Sequence, residues 1–268
     1  MTDAARTGPP PVLNDPFARL EGPLAGTTRM RLQVVRNDPL TPAMQQVVLT
    51  APELASFSYR PGQDVMLMVD VDGNLPVRRR YTIRAVDQAE RLLTLGIVRH
   101  DRGPGERWVR AARPGDQIEG IGPRGKIFPS ADAAWHLFAG DFSALPAFFV
   151  MAGSLPAQVP VTIVLEVPGP EDQQELVTAA DARVLWLHRA DRPAGDPSAL
   201  VAAVGSVPLP PGTGHAYLAG DARLVLALRE ALAARGMLDD RVSPKAYWGL
   251  GKANAAHGEP PKDRDDAG

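Results

Sequence analysis

The chain has 268 residues, 29 Lys plus Arg against 31 Asp plus Glu, a formal net charge of -2 and no cysteine. That length suits one large domain or two of ordinary size with a substantial core. The balanced charge speaks against general nucleic-acid binding, and the missing thiols exclude cysteine-ligated iron–sulfur clusters, thiol nucleophiles and disulfides from this sequence. No apolar run approaches membrane-spanning length, and Met1 to Pro11 is polar and Pro-rich with no signal-like apolar stretch, so the expectation is a cytoplasmic protein with no membrane span. Five histidines without zinc-type spacing and the lack of a G-x-S-x-G elbow leave no metal site and no serine hydrolase to expect.

Residues 1–28 read as a loose arm, punctuated by Gly8-Pro9-Pro10-Pro11 and Gly22-Pro23. Residues 29–130 read as a small antiparallel barrel of short, turn-bounded strands: 30–35, 46–50, 64–69 after the Pro61-Gly62 turn, 79–84, 92–98 and 117–121. In the fourth, Arg78-Arg79-Arg80-Tyr81-Thr82-Ile83-Arg84 combines a basic cluster with an aromatic ring and a hydroxyl. Arg79 and Tyr81 share one face of a strand. Such groups suit a flavin, whose phosphates match an Arg fork and whose ring system takes a flat partner and a nearby donor. An exposed basic strand with a half-buried Tyr is the plain alternative. His100-Asp101-Arg102-Gly103-Pro104-Gly105-Glu106-Arg107-Trp108 follows the fifth strand and predicts an anion-binding nest running into a helix at Glu106, the alternative being an ordinary loop anchored by Trp108. Gly120-Ile121-Gly122-Pro123-Arg124-Gly125 matches G-x-G-x-x-G, but no helix follows, and it is assigned to the turn that closes the barrel.

From residue 131 to 256 the period changes. Strands at 135–139, 161–167, 184–187 and 216–219 alternate with helices from Ala144 and through Leu224, Val225, Leu228 and Leu232 to Gly236, which implies a parallel sheet with ligands at the carboxyl ends of its strands. Gly140-Asp141 and Gly220-Asp221 lie at such ends, where helix-start N–H groups would meet a dinucleotide phosphate. Arg189 and Arg192 could meet a 2′-phosphate, and Lys245 and Lys252 an anionic chelate, with solvated surface as the plainer reading for all four. Residues 257–268 form a polar tail.

A barrel with Arg-x-Tyr-Thr followed by a nucleotide-binding α/β half resembles the ferredoxin–NADP reductase superfamily, and within it the siderophore-interacting proteins. The resemblance spans about residues 29–258. It rests on Arg79–Arg84, His100 with Gly103-Pro104 and Trp108, Ala112-Arg113-Pro114-Gly115-Asp116 and Gly122-Pro123-Arg124-Gly125. Its later part is Gly140-Asp141-x-Ser143-Ala144-Leu145-Pro146-Ala147, Trp186-Leu187-His188-Arg189 and Ala246-Tyr247-Trp248 with Gly251-Lys252-Ala253-Asn254.

The resemblance implies FAD on the barrel, NAD(P)H as hydride donor on the second domain, and electron transfer to Fe(III) in a siderophore. It implies that Arg79 pairs with the FAD phosphates, that Tyr81 and Thr82 flank the flavin ring, and that His100 and Gly103, Pro104 and Gly105 follow the ribose and diphosphate. Ile83, Arg84, Val98 and Trp108 complete the FAD set. Asp141, Ser143, Ala144, Gly220 and Asp221 form the NAD(P)H side, and Tyr247 and Trp248 return to the flavin. Two positions depart from the family pattern: Phe142 replaces an acid and Gly249 an arginine, which implies a less polar cleft lined by Phe142 and, as a second reading, a biosynthetic flavoprotein acting on an organic substrate. Gly105-Glu106, where relatives carry Ala and Ser, is a softer departure.

Overall fold

The computed structural model describes residues 26–72, 75–100 and 103–249. Its first half is a closed antiparallel barrel of β1 (Thr28–Thr41), β2 (Met44–Thr50), β3 (Asp64–Asp72), β4 (Leu75–Asp87), β5 (Leu92–Val98) and β6 (Gln117–Arg124), in the order β1-β2-β5-β4-β3-β6. Alternation puts Met30, Leu32 and Val34 of β1 inside with Leu67, Ile83, Leu93 and Leu95. Helix α1 (Pro104–Ala111) bridges β5 and β6. The G-x-G-x-x-G segment lies largely in β6, which pairs with both β1 and β3, and so is a strand rather than the expected turn. Its glycines answer to packing: a Cβ on Gly120 would stand 2.8 Å from Leu32 Cδ1, and one on Gly122 2.7 Å from Val65 Cγ1.

The second half is a parallel sheet in the order β11-β10-β7-β8-β9, formed by β7 (Trp135–Asp141), β8 (Pro160–Val167), β9 (Asp181–His188), β10 (Gly214–Asp221) and β11 (Val242–Trp248). Helices α2 (Leu145–Gly153), α3 (Ser198–Ser206) and α4 (Ala222–Ala234) complete it. All of β7 is buried, as a central parallel strand covered on both faces must be. The strand order reverses between β7 and β10, the position at which open α/β sheets form a ligand crevice. Among the described residues, no helix is long and apolar enough to cross a membrane.

The halves share an apolar cluster. Met44 of the barrel is fully buried with Phe138, Phe142, Phe148 and Phe149, and Val98 and Ile127 pack against the same group. Asp172, 1% exposed, accepts from Thr41 Oγ1 at 2.6 Å and Ala43 N at 2.8 Å, and Arg84 Nη1 donates to Gln174 Oε1 at 3.0 Å.

Away from that junction, His136 stacks on Tyr217 and lies 2% exposed, so burial pulls its pKa down to about 4, with a smaller push from His215. A histidine whose folded pKa lies below its unfolded value contributes stability that is complete above pH 6.5 and is lost as pH falls toward 4. We expect about 1–2 kcal/mol to disappear across that interval after screening, and His136→Asn to flatten the melting-temperature profile there.

Candidate functional site

Strand β4 carries two chemically distinct faces. On one, Tyr81 is half-buried and stacks on Trp108 of α1, with ring centroids 6.2 Å apart and planes 27° apart. Gly105 lies so close that a Cβ would stand 2.7 Å from the Tyr81 hydroxyl and 3.5 Å from Arg79 Cγ. Gly103, at φ 111°, turns the chain into the helix, and Pro104 opens it. The loop, Arg79, Tyr81 and Trp108 thus meet on one surface. Burial raises the Tyr81 phenol pKa, keeping it a neutral donor. His100 is exposed and contributes its backbone N–H to Glu106 Oε2 at 2.9 Å.

The other face turns to the second domain. Asp64 opens β3 beside Thr82 and is 4% exposed. It takes a two-pronged contact from Arg80, Nε to Oδ1 at 2.8 Å and Nη2 to Oδ2 at 2.6 Å, and a third from Lys245 Nζ of β11 at 3.3 Å. Burial lowers the Arg124 pKa, helped by repulsion from Arg80 and, to a smaller extent, from Arg78, and opposed by Asp64. Arg78 and Arg124 each carry a buried Nη1 with no hydrogen-bond partner among the described residues. The Tyr247 hydroxyl bonds the Thr82 side chain, and burial raises its pKa. Arg80 and Lys245 therefore contact one carboxylate where the two halves meet, and Arg124 lies within its field.

At the switch point, Asp141 ends β7 as a buried acceptor. Its Oδ1 takes Ser143 N at 2.9 Å and Ser143 Oγ at 2.5 Å, and its Oδ2 takes Asp221 N at 2.8 Å and Trp248 Nε1 at 3.0 Å. Burial raises its pKa. Asp221, fully buried, caps α4 by accepting from Arg223 N at 2.9 Å and Leu224 N at 3.4 Å. The N–H groups of Ser143, Asp221, Arg223 and Leu224 are thus already engaged by carboxylates and are not open to an anion. Gly140 and Gly220 permit the close approach: a Cβ on Gly220, at φ 136°, would stand 2.3 Å from Asp141 Oδ2.

Other expectations need correction. Phe142 is 4% exposed and packs in the shared apolar cluster, so it fills the junction instead of lining an open cleft, and a carboxylate there would be a buried charge. Ala144 and Ile83 are fully buried core residues, Ile83 inside the barrel. Val98 packs beside Phe142, and Arg84 faces Gln174 and Met44, away from the Tyr81 surface. Lys245 is 14% exposed in its side chain and ion-paired, not solvated. Arg192 pairs with the buried Glu166 at 2.9 Å. Gly249 does leave space among the described residues, where a Cβ would meet only Ala222 Cβ at 4.0 Å. Lys252 lies outside the described residues. Neither Asp64 nor Glu106 is singled out as a site residue by the sequence pattern. An acid opening the run Val65-Met66-Leu67-Met68-Val69 was the available signal for the first.

The comparisons with known proteins agree with this geometry. Residues 68–127 match a family model described as the siderophore-interacting FAD-binding domain, and 133–251 match one described as siderophore-interacting protein. The ferric vibriobactin reductase ViuB of Vibrio cholerae is 32% identical over 188 residues, covering 69% of this chain and 69% of that protein. The NADPH-dependent ferric-chelate reductase of Escherichia coli is 25% identical over 239 residues, covering 81% and 91%. A siderophore utilization protein from T. fusca superposes with TM-score 0.77 at 29% identity, over 87% of this chain and 97% of that one. The chain belongs to the siderophore-interacting protein family.

Proposed function

We propose that the protein is a flavin-dependent reductase of ferric chelates, with FAD on the Arg79–Tyr81–Trp108 surface and NAD(P)H as hydride donor. The observation that carries the reading is the two-faced strand β4, which sets a flavin-type surface back to back with a cationic cleft. The residues fit FAD. Arg79 supplies a guanidinium for the phosphates, the glycine loop brings its chain down on Tyr81, and the half-buried aromatic pair gives the ring a flat neighbour. FAD, when bound, accepts a hydride and releases electrons singly, which matches a two-electron donor to a one-electron iron acceptor.

The chain's own part is positioning. Asp64 holds Arg80 and Lys245 in place, so the cleft presents fixed positive charge to an anionic ferric siderophore. Thr82, tied to Tyr247, joins the cleft to the strand that bears Tyr81. The alternative, a biosynthetic flavoprotein with an apolar cleft, retains only the space at Gly249, because Phe142 belongs to the core.

Protein reconstituted with FAD should be bleached anaerobically by NADH or NADPH and re-oxidised by a ferric siderophore, with a ferrous trap reporting the product. Reduced flavin that persists beside several ferric chelates refutes the reductase assignment. Arg79→Ala should weaken FAD binding by about 1.5–3 kcal/mol, the worth of a charge-assisted phosphate contact, as read by flavin fluorescence titration.

A further inference from the structure

Glu106 is 5% exposed in the first turn of α1, next to Gly105. Its carboxylate accepts from the backbone N–H of His100 at 2.9 Å and from Arg110 Nε one helical turn on, and it ion-pairs with Arg99 Nε at 3.7 Å. A loop N–H and two guanidiniums are donors that a diphosphate would recruit. Here a side chain of the protein already engages them. The negative charge is also felt on the flavin surface, where it is one of the influences raising the Tyr81 phenol pKa.

We propose that Glu106 is a resident anion of the flavin-phosphate loop, so that the flavin is held mainly through its ring system and Arg79 and exchanges readily with solution. This rests on the reading of the Tyr81 surface as a flavin site. Glu106 is a positioning residue in this scheme: it fixes His100, Arg99 and Arg110, and it reduces the electrostatic gain that the phosphates bring. A carboxylate acting only as a local brace would order the loop without opposing the ligand, and its removal would weaken every flavin alike.

The test compares FAD with riboflavin, which lacks phosphate, by fluorescence titration of wild type, Glu106→Gln and Glu106→Ser. Gln keeps an acceptor for the His100 N–H and removes only the charge. The expected result is FAD affinity at least about tenfold tighter in Glu106→Gln, with riboflavin affinity unchanged, and a wild-type preference for FAD over riboflavin below about a hundredfold. Equal changes for both flavins, or weaker FAD binding, overturn the proposal. Should both variants fail to fold, the wild-type comparison decides alone: a preference for FAD beyond about a hundredfold refutes the resident anion. If the folded wild type binds neither flavin, the flavin site itself is refuted and this proposal falls with it. A flavin that binds without the phosphate signature refutes only the role of Glu106.

Discussion

Asp64→Asn should lower the unfolding free energy by about 3–5 kcal/mol, the usual cost of removing one partner from a buried ion pair. The side chain is 6% exposed, and Arg80 beside it only 19%. Asparagine preserves the shape and one acceptor oxygen, but it removes the charge that Arg80 and Lys245 contact and that Arg124 feels. Urea denaturation should show the loss as a lower midpoint at unchanged slope. Added sulfate should recover part of it in the variant and much less in wild type, because an external anion can take the position of the carboxylate. A variant as stable as wild type, with no response to sulfate, would mean that water already screens the cluster.

Asp141→Ala should cost a comparable amount, about 3–5 kcal/mol, by a different route. It strands the buried donors Ser143 N, Asp221 N and Trp248 Nε1 at one stroke, each carrying an unmade-bond penalty of about 1–3 kcal/mol that relaxation only partly relieves. Trp248 loses its tie to β7, so the variant's tryptophan emission should shift to the red while the protein is still folded. Asp141→Asn, which keeps an acceptor oxygen, should retain about half of the stability. An unshifted emission spectrum in Asp141→Ala would show that packing, not this bond, sets the Trp248 position.

Much of the fold could be read from periodicity. Strand β5 has the expected bounds because Arg91 and the residues before it break the pattern sharply and Leu92–Val98 is a short, largely apolar run. Strand β1 extends six residues past the expected end, since its later half is polar, contains Pro39 and is held by pairing with β2 through bulges, which no local apolar pattern reveals. Strand β11 escaped notice because Ser243-Pro244-Lys245 lacks an apolar run; it forms as a parallel partner of β10. The short, small-residue helix α3 carries little amphipathic signal. In the site, strand alternation sufficed to put Arg79 and Tyr81 together. It could not show that Phe142 points into a core, because facing a cleft and facing a neighbouring barrel look alike until the barrel is docked. Nor could it show Asp64 beneath Arg80, a contact made across the β3–β4 ladder from sixteen residues away.

The placement of Met44 bears on how the molecule loses its structure. Its side chain belongs to the barrel by sequence and to the sheet's apolar layer by packing, together with Val98, Ile127 and Phe142. Excising either half would bare a greasy patch with no water-compatible substitute, so the barrel is not a detachable module. Backbone amides on both sides of the seam should exchange with deuterium through one common opening, and calorimetry should record a single cooperative melt. A molecule built this way has little freedom to hinge at its domain boundary, so its two halves move as one body rather than swinging against each other.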